Sequence, residues 1–282
     1  MKFIDKQDLK KYWNIVEIRK NKPRNLRRVV AITYGNFIKI LKDNNKMKKI
    51  INNLYSGDFY IIKNVIRKNE IKRLKKDLID YSKKKPSSFF KILENCPNYW
   101  RRQDEDIAKK YSFVAVRDSF YFFRWNKEKL GIFKLFNPIW RYIKYLSGLN
   151  FNEYEKNTPK DVVVDRVQIV KYPEDSGYTV PHVHDPINQR LIISIYFSQK
   201  GLDYSSGGTY FYKNNKKINL ESKIEVGDAG IFYATLKHGV DPVKIKSSIK
   251  VKDYDFRGRW WCGLYSPESN HKIKRHTSSP VK

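Results

Sequence analysis

Two cysteines, Cys96 and Cys262, are all that the 282 residues contain. They stand far apart, in no metal-binding or redox spacing, which excludes a disulfide scaffold, a zinc finger and a Cys-x-x-Cys centre. Apolar runs of the roughly 18–20 residues needed to cross a bilayer are missing. The opening MKFIDKQDLKKYW has charge but no apolar signal-peptide stretch. A reducing, cytoplasmic setting is therefore expected. No internal repeat and no long Pro/Gly/Ser linker divides the chain. Acidic residues are few, 29 against 58 Lys and Arg, for a formal net charge of +29. Histidine is scarcer still, with five.

What is there suits a packed fold. Hydrophobic residues make up 40% and aromatics 15%, enough to exclude a disordered chain despite the charge. The charge is uneven. Residues 1–150 carry 37 Lys and Arg against 14 Asp and Glu, and the rest carry 21 against 15. Such a basic half is either a solvated lysine-rich surface or a face that attracts an anionic substrate or polymer. No zinc-finger or RNA-recognition signature accompanies it.

The first part reads as helical and polar through Lys46–Asn53. Phe59–Ile66 reads as a strand, being rich in β-branched and aromatic residues. Asn69 is placed to cap a helix in which Ile71, Leu74, Leu78 and Ile79 recur with amphipathic spacing. Residues 87–112 are polar and irregular, and Phe113–Phe123 is strand-like. Lys127–Leu149 reads as helical with a break at Pro138. From Asp161 the texture changes to about eight short apolar runs separated by turns such as Gly207-Gly208 and Gly227-Asp228, which suggests a sandwich or jelly roll. Ile218–Ile224 is one of those runs. The expectation is an α+β chain. A helix-and-strand part at 1–150 packs on a β core at 151–282, as one structural unit.

The informative stretch is Gly177–Pro186, GYTVPHVHDP, with His238-Gly239-Val240 downstream. Two histidines and an aspartate within four residues suit a mid-row divalent ion. A set of two imidazoles and one carboxylate leaves positions open for substrate. His271 and His276, in a polar tail, read as ordinary surface histidines.

In order along the chain stand Val167–Tyr172, GYTVPHVHDP, RLIISIYFS, SGGTYFY, GDAGIFYATLKHGV and GRWWCGLY. Together these resemble the iron(II)/2-oxoglutarate-dependent dioxygenases of the prolyl-hydroxylase and phytanoyl-coenzyme-A-hydroxylase type, over about Asp161–Tyr265. The resemblance implies a double-stranded β-helix of the jelly-roll or cupin kind, flanked by N-terminal helices. It implies Fe(II), 2-oxoglutarate and O2 as cofactors, and hydroxylation with release of succinate and CO2. The family motif is His-x-Asp, whereas here no histidine stands two residues before an aspartate. One inserted residue, absorbed as a β-bulge, would bring Asp185 to the face of His182 and complete a set of His182, Asp185 and His238. Straight strand geometry would instead pair His182 with His184, giving an all-histidine set with His238. A further pairing, His184 with Asp185, stays open.

The distal carboxylate of 2-oxoglutarate needs a cation, and a bidentate arginine on a barrel strand suits it. The resemblance assigns that role to Arg259, with Arg257 two residues earlier as the rival. Tyr172, Tyr196 and Arg190 are possible second contacts to cosubstrate or substrate. A small-molecule or carrier-bound substrate is expected. Two alternatives remain: an inert β-helix that binds a small anion or nucleic acid, and a nucleic-acid-modifying dioxygenase.

Overall fold

A computed structural model describes residues 5–19, 21–245 and 257–281. Its first half runs α1 (Lys6–Arg19), β1 (Val29–Thr33), α2 (Tyr34–Leu41), α3 (Asn44–Tyr55), β2 (Phe59–Lys63) and α4 (Lys68–Lys84). There follow β3 (Tyr99–Gln103), α5 (Glu105–Ala108), β4 (Ala115–Phe123) and α6 (Ile132–Leu146). The second half is almost all strand: β5 (Arg166–Tyr172), β6 (Tyr178–Val183), β7 (Leu191–Tyr196), β8 (Ser206–Lys213) and β9 (Lys216–Asn219). It ends with β10 (Ala229–Tyr233), β11 (His238–Lys244), β12 (Arg259–Tyr265) and β13 (Ser279–Pro280). Most of the Lys-rich segment before β12 lies outside the described residues.

The strands join in the order β1-β2-β10-β7-β12-β5-β4-β6-β11-β8-β9, with β3 on β4 and β13 on β6. Among the described residues the sheet does not close on itself. β4 is the seam. Its Asp118–Phe123 portion pairs with β5, and Ala115 and Val116 pair with β6. The larger sheet and the smaller sheet are thereby folded over one another, as a double-stranded β-helix requires. β2 pairs antiparallel with β10, which hydrogen-bonds the N-terminal part to the later strands.

Strand alternation then sorts the residues. On the larger sheet Tyr60, Ile62, Phe120, Phe122, Val167 and Ile169 pack in one cluster with helix residues such as Trp13, Leu54, Leu74 and Trp140. Ile193, Ile231, Trp260, Cys262 and Leu264 belong to the same cluster. Their strand neighbours on the opposite face, including Phe59, Ile61, Ile192, Tyr196 and Phe232, form a separate inner cluster with Phe211 of β8. The inner face is thus where polar groups from β4, β5 and β12 can meet the histidines of β6 and β11.

Local expectations fail where packing outweighs them. α6 continues through Pro138 because Ile132, Phe136, Ile139, Trp140 and Ile143 are all buried on one side, and that burial offsets the roughly 3 kcal/mol of an interior proline. α4 starts at Lys68 after Arg67, so Asn69 is already helical and its side-chain oxygen accepts only from the Glu70 N–H. Residues 29–33, read from sequence as part of a helical stretch, and 99–103, read as irregular, are strands at the sheet margin because they pair with β2 and β4. The Ile218–Ile224 run is not one strand: β9 ends at Asn219, and Glu221–Lys223 form a 3-10 turn.

Candidate metal centre

β6 and β11 are antiparallel neighbours with His238 opposite His182. The next paired residues are Val240 and Thr179, so β6 has one residue more than β11 over that interval. The bulge therefore lies upstream of His182, not between His182 and Asp185. Beyond it normal alternation places His184 on the side of His182. The structure brings His182, His184 and His238 together, with one ligand atom from each within 4.8 Å of the others. Asp185 is not in this group. Its carboxylate accepts from the Ile187 N–H at 2.9 Å, although it lines the same cavity.

The second nitrogen of each ring is already engaged. His182 Nδ1 donates to the Val180 carbonyl and His238 Nδ1 to the Leu236 carbonyl, both at 2.9 Å. A carbonyl can only accept, so these rings carry their proton on Nδ1 and present Nε2 as a lone pair. His184 Nδ1 lies 2.8 Å from Ser278 Oγ. Imidazoles oriented through the far nitrogen in this way are the usual support of a metal site. Burial keeps them neutral: His182 and His184 are held well below the ordinary value, first by desolvation and then by His238. Desolvation lowers His238 to about 4. Neutral imidazole is the ligating form, and three nitrogen donors fit Fe(II) and other mid-row divalent ions.

The cavity at this centre has a volume of about 340 Å³, which suits a small molecule. Arg259, 2% exposed, reaches it from β12. Tyr172 and Tyr196 also line it, and their rings lie 5.5 and 5.7 Å from the Arg259 guanidinium carbon. Sequence reasoning missed the partner that fixes Arg259. Glu221 accepts from Arg259 Nε at 2.8 Å, from the Thr209 N–H at 2.6 Å and from the Tyr204 hydroxyl. Arg259 Nη2 donates to Thr209 Oγ1, while Nη1 is buried without a partner. Burial opposes the Arg259 cation most, but Glu221 together with Tyr204, Tyr172 and Tyr196 outweighs it, so its pKa is raised. The glycine pair near the start of β8 permits this: Gly208 has φ +93° and an added Cβ would stand 2.6 Å from Glu221 Cγ.

The remaining expected contacts lie elsewhere. Arg190 faces α1, pairing with Glu17 at 2.9 Å, and does not line the cavity. Arg257 lies 4.0 Å from Glu174 and does not line the cavity. His271 pairs with Glu94, whereas His276, read from sequence as an ordinary surface histidine, lies against Glu268 and lines the cavity. Arg117, Arg166, Gln168, Arg275 and Ser278 line the cavity and were not singled out from sequence. Strand alternation from Tyr172 through Gln168 to Arg166 could have found two of them.

No protein-family model matches the chain, and no curated protein matches it in sequence. Solved structures do match. A Pseudomonas putida prolyl-4-hydroxylase superposes with a TM-score of 0.50 at 8% identity, covering 78% of this chain and 97% of that one. A Trichoplax adhaerens prolyl hydroxylase, solved with a hypoxia inducible factor peptide fragment, gives 0.50 at 14% identity, with 81% and 92% covered. A full-length Neurospora crassa protein, solved in complex with alpha-KG and thymine, gives 0.51 at 12% identity, with 90% and 88% covered. These likenesses establish the fold as the double-stranded β-helix seen in 2-oxoglutarate and iron oxygenases.

Proposed function

We propose that the protein is an iron(II)- and 2-oxoglutarate-dependent oxygenase that hydroxylates a small molecule or carrier-bound substrate, releasing succinate and CO2. One observation carries the reading. Three neutral imidazoles, two of them (His182 and His238) buried with Nδ1 tied to a backbone carbonyl and His184 half-buried, meet in a cavity that also receives a buried arginine with a free Nη1. His182, His184 and His238 would hold the iron, and Asp185 is the rival third ligand at the same cavity. Bound iron, 2-oxoglutarate and O2 would supply the oxidising chemistry. The order of sequence motifs supports a kinship of the prolyl-hydroxylase or phytanoyl-coenzyme-A-hydroxylase type. A further similar structure, solved in complex with 2OG, Fe and JA, supports the same cofactors.

The chain's own residues have separate tasks. Arg259 Nη1 is available to the distal carboxylate of 2-oxoglutarate, and Glu221 holds the guanidinium in place by its Nε. Tyr172 and Tyr196 flank that cation and restrict water around it. Phe113 packs edge-on against His182, with ring centroids 4.8 Å apart, and covers one side of that ligand. An all-imidazole set adds no negative charge, so it leaves the full charge of a divalent ion facing the cavity.

The test is succinate formation from 2-oxoglutarate with added Fe(II) and ascorbate, run beside an iron titration followed by 2-oxoglutarate charge-transfer absorbance. Iron uptake with turnover, coupled or uncoupled, is expected. No iron uptake together with no turnover would overturn the proposal in favour of a binding protein built on the same fold.

A further inference from the structure

Beyond Arg259, three more arginines line the cavity: Arg117 from β4, Arg166 from β5 and Arg275 from the segment after β12. Facing them, Asp185 is the single carboxylate of the lining. Each of the three has a buried Nε without a hydrogen-bond partner. None forms an ion pair among the described residues. Their side-chain partners are neutral. Arg117 meets the Tyr172 hydroxyl. Arg166 Nη2 donates to Gln168 Oε1 at 2.9 Å, and Arg275 Nη1 to Asn270 Oδ1 at 3.4 Å. Glu268 attracts Arg275 from a distance, but its carboxylate is committed to Lys272 and His276.

They converge on a common wall. The guanidinium carbon of Arg166 lies 5.4 Å from the ring centroids of both Tyr121 and Tyr265, and that of Arg117 lies 5.8 Å from Phe113. Tyr265 in turn stands 5.9 Å from His184. Burial raises the Tyr265 phenol, while Arg117 and Arg166 both pull against it, so both cations are its neighbours. Burial and then the charge of Arg166 lower Arg275, and both side chains line the same cavity.

Like charges gathered in a half-buried cavity are unfavourable unless an anion enters. Elsewhere in this chain buried cations are compensated: Lys144 and Arg124 share Asp165, and Arg259 has Glu221. The uncompensated group sits beside the proposed metal, in a space sized for a small molecule. One carboxylate would leave most of the charge unmet. A tetrahedral dianion offers three acceptor oxygens to planar guanidinium donors arriving from three elements.

We propose that Arg117, Arg166 and Arg275 bind the phosphate of a small phosphate-monoester substrate and so set the substrate class of this enzyme. The proposal deepens the oxygenase reading and rests on it for the word substrate, but phosphate binding itself needs no metal. That independence shapes the experiment. Metal-free full-length protein is titrated calorimetrically with ribose 5-phosphate, inorganic phosphate, a dicarboxylate (malonate) and a single-stranded oligonucleotide, and separately with 2-oxoglutarate. Ribose 5-phosphate should bind more tightly than malonate. Binding should weaken on the order of thirtyfold in R166Q and in R275Q, as expected for truncating one side of a charged contact. R275Q lies outside the sheet strands, so it serves if R166Q misfolds, and melting curves report folding for both. R259Q should weaken 2-oxoglutarate and leave ribose 5-phosphate in place.

Equal affinities for ribose 5-phosphate in the folded variants would overturn the assignment. So would preference for malonate, competition between ribose 5-phosphate and 2-oxoglutarate, or an oligonucleotide that outbinds ribose 5-phosphate through the same arginines. Phosphate binding without iron uptake would keep the anion site and remove the oxygenase reading. Iron uptake and turnover without phosphate binding would do the reverse.

Discussion

At the scale of single residues the decisive contrast is His184 against Asp185. Both line the cavity, but only His184 joins His182 and His238 in the ligand cluster. H184A should abolish tight Fe(II) binding, whereas D185A should retain it; an iron titration of the two variants separates the ligand sets. S278A, which removes the partner of His184 Nδ1, should weaken metal binding about 10–100-fold. Glu221 is the other residue with large consequences. Its carboxylate serves Arg259, the Thr209 N–H and Tyr204 together. E221A should therefore destabilise the fold by about 3–5 kcal/mol in a denaturant melt, since it strands a buried cation. E221Q, which keeps one acceptor, should lose less stability and still raise the KM for 2-oxoglutarate. The sequence marked His182, His184 and His238 by their clustering at the ends of strand-like runs, and Arg259, Tyr172 and Tyr196 through the motif resemblance. Glu221 escaped because nothing local distinguishes ESK from any polar turn.

Among elements, β6 shows how one residue of register decides chemistry. An extra residue between Thr179 and His182, opposite Gly239, leaves the His182-Val183-His184 alternation intact. The sequence indicated an insertion; only pairing with β11 decides on which side of His182 it falls. The segment after β12 has its own anchor. Glu268, 2% exposed, accepts from Lys272 Nζ at 2.7 Å, the His276 N–H at 2.7 Å and Asn188 Nδ2 at 3.1 Å. Burial opposes its charge, but these donors prevail and hold its carboxyl at about 2, below the ordinary value of 4.5. A depressed carboxylate contributes stability above the unfolded value and loses it as pH falls through the folded one. That contribution should be complete above about pH 4.5 and gone near pH 2, worth about 1.5–3 kcal/mol. Unfolding free energies of wild type and E268Q across that window should converge as the pH falls; a constant gap would contradict the assignment. α6 makes the complementary point: Pro138 predicts a break, and the buried row from Ile132 to Ile143 overrides it.

Across the whole molecule, pairing binds early residues to late ones. β2 lies against β10 and β4 between β5 and β6, while α1 reaches Arg190 through Glu17. We propose that residues 1–150 and 151–282 fold as one cooperative unit. A fragment of residues 151–282 would lose β2 and β4, expose edges of β10, β5 and β6 and uncover the outer apolar face. It should remain unfolded by circular dichroism, whereas the intact chain should melt in a single transition. The sequence by itself determined the strand-rich second half, the jelly-roll class and the identities of the clustered histidines and Arg259. The strand-rich half, its jelly-roll class and the histidine cluster follow from period-two patterning, turn residues and the rarity of histidine, all of which are local, while Arg259 follows from the motif resemblance. Tertiary structure alone decided that His184 clusters with His182 and His238, what holds Arg259, and that Arg117, Arg166 and Arg275 line one cavity. These depend on register and on elements distant in the chain, which no local pattern encodes.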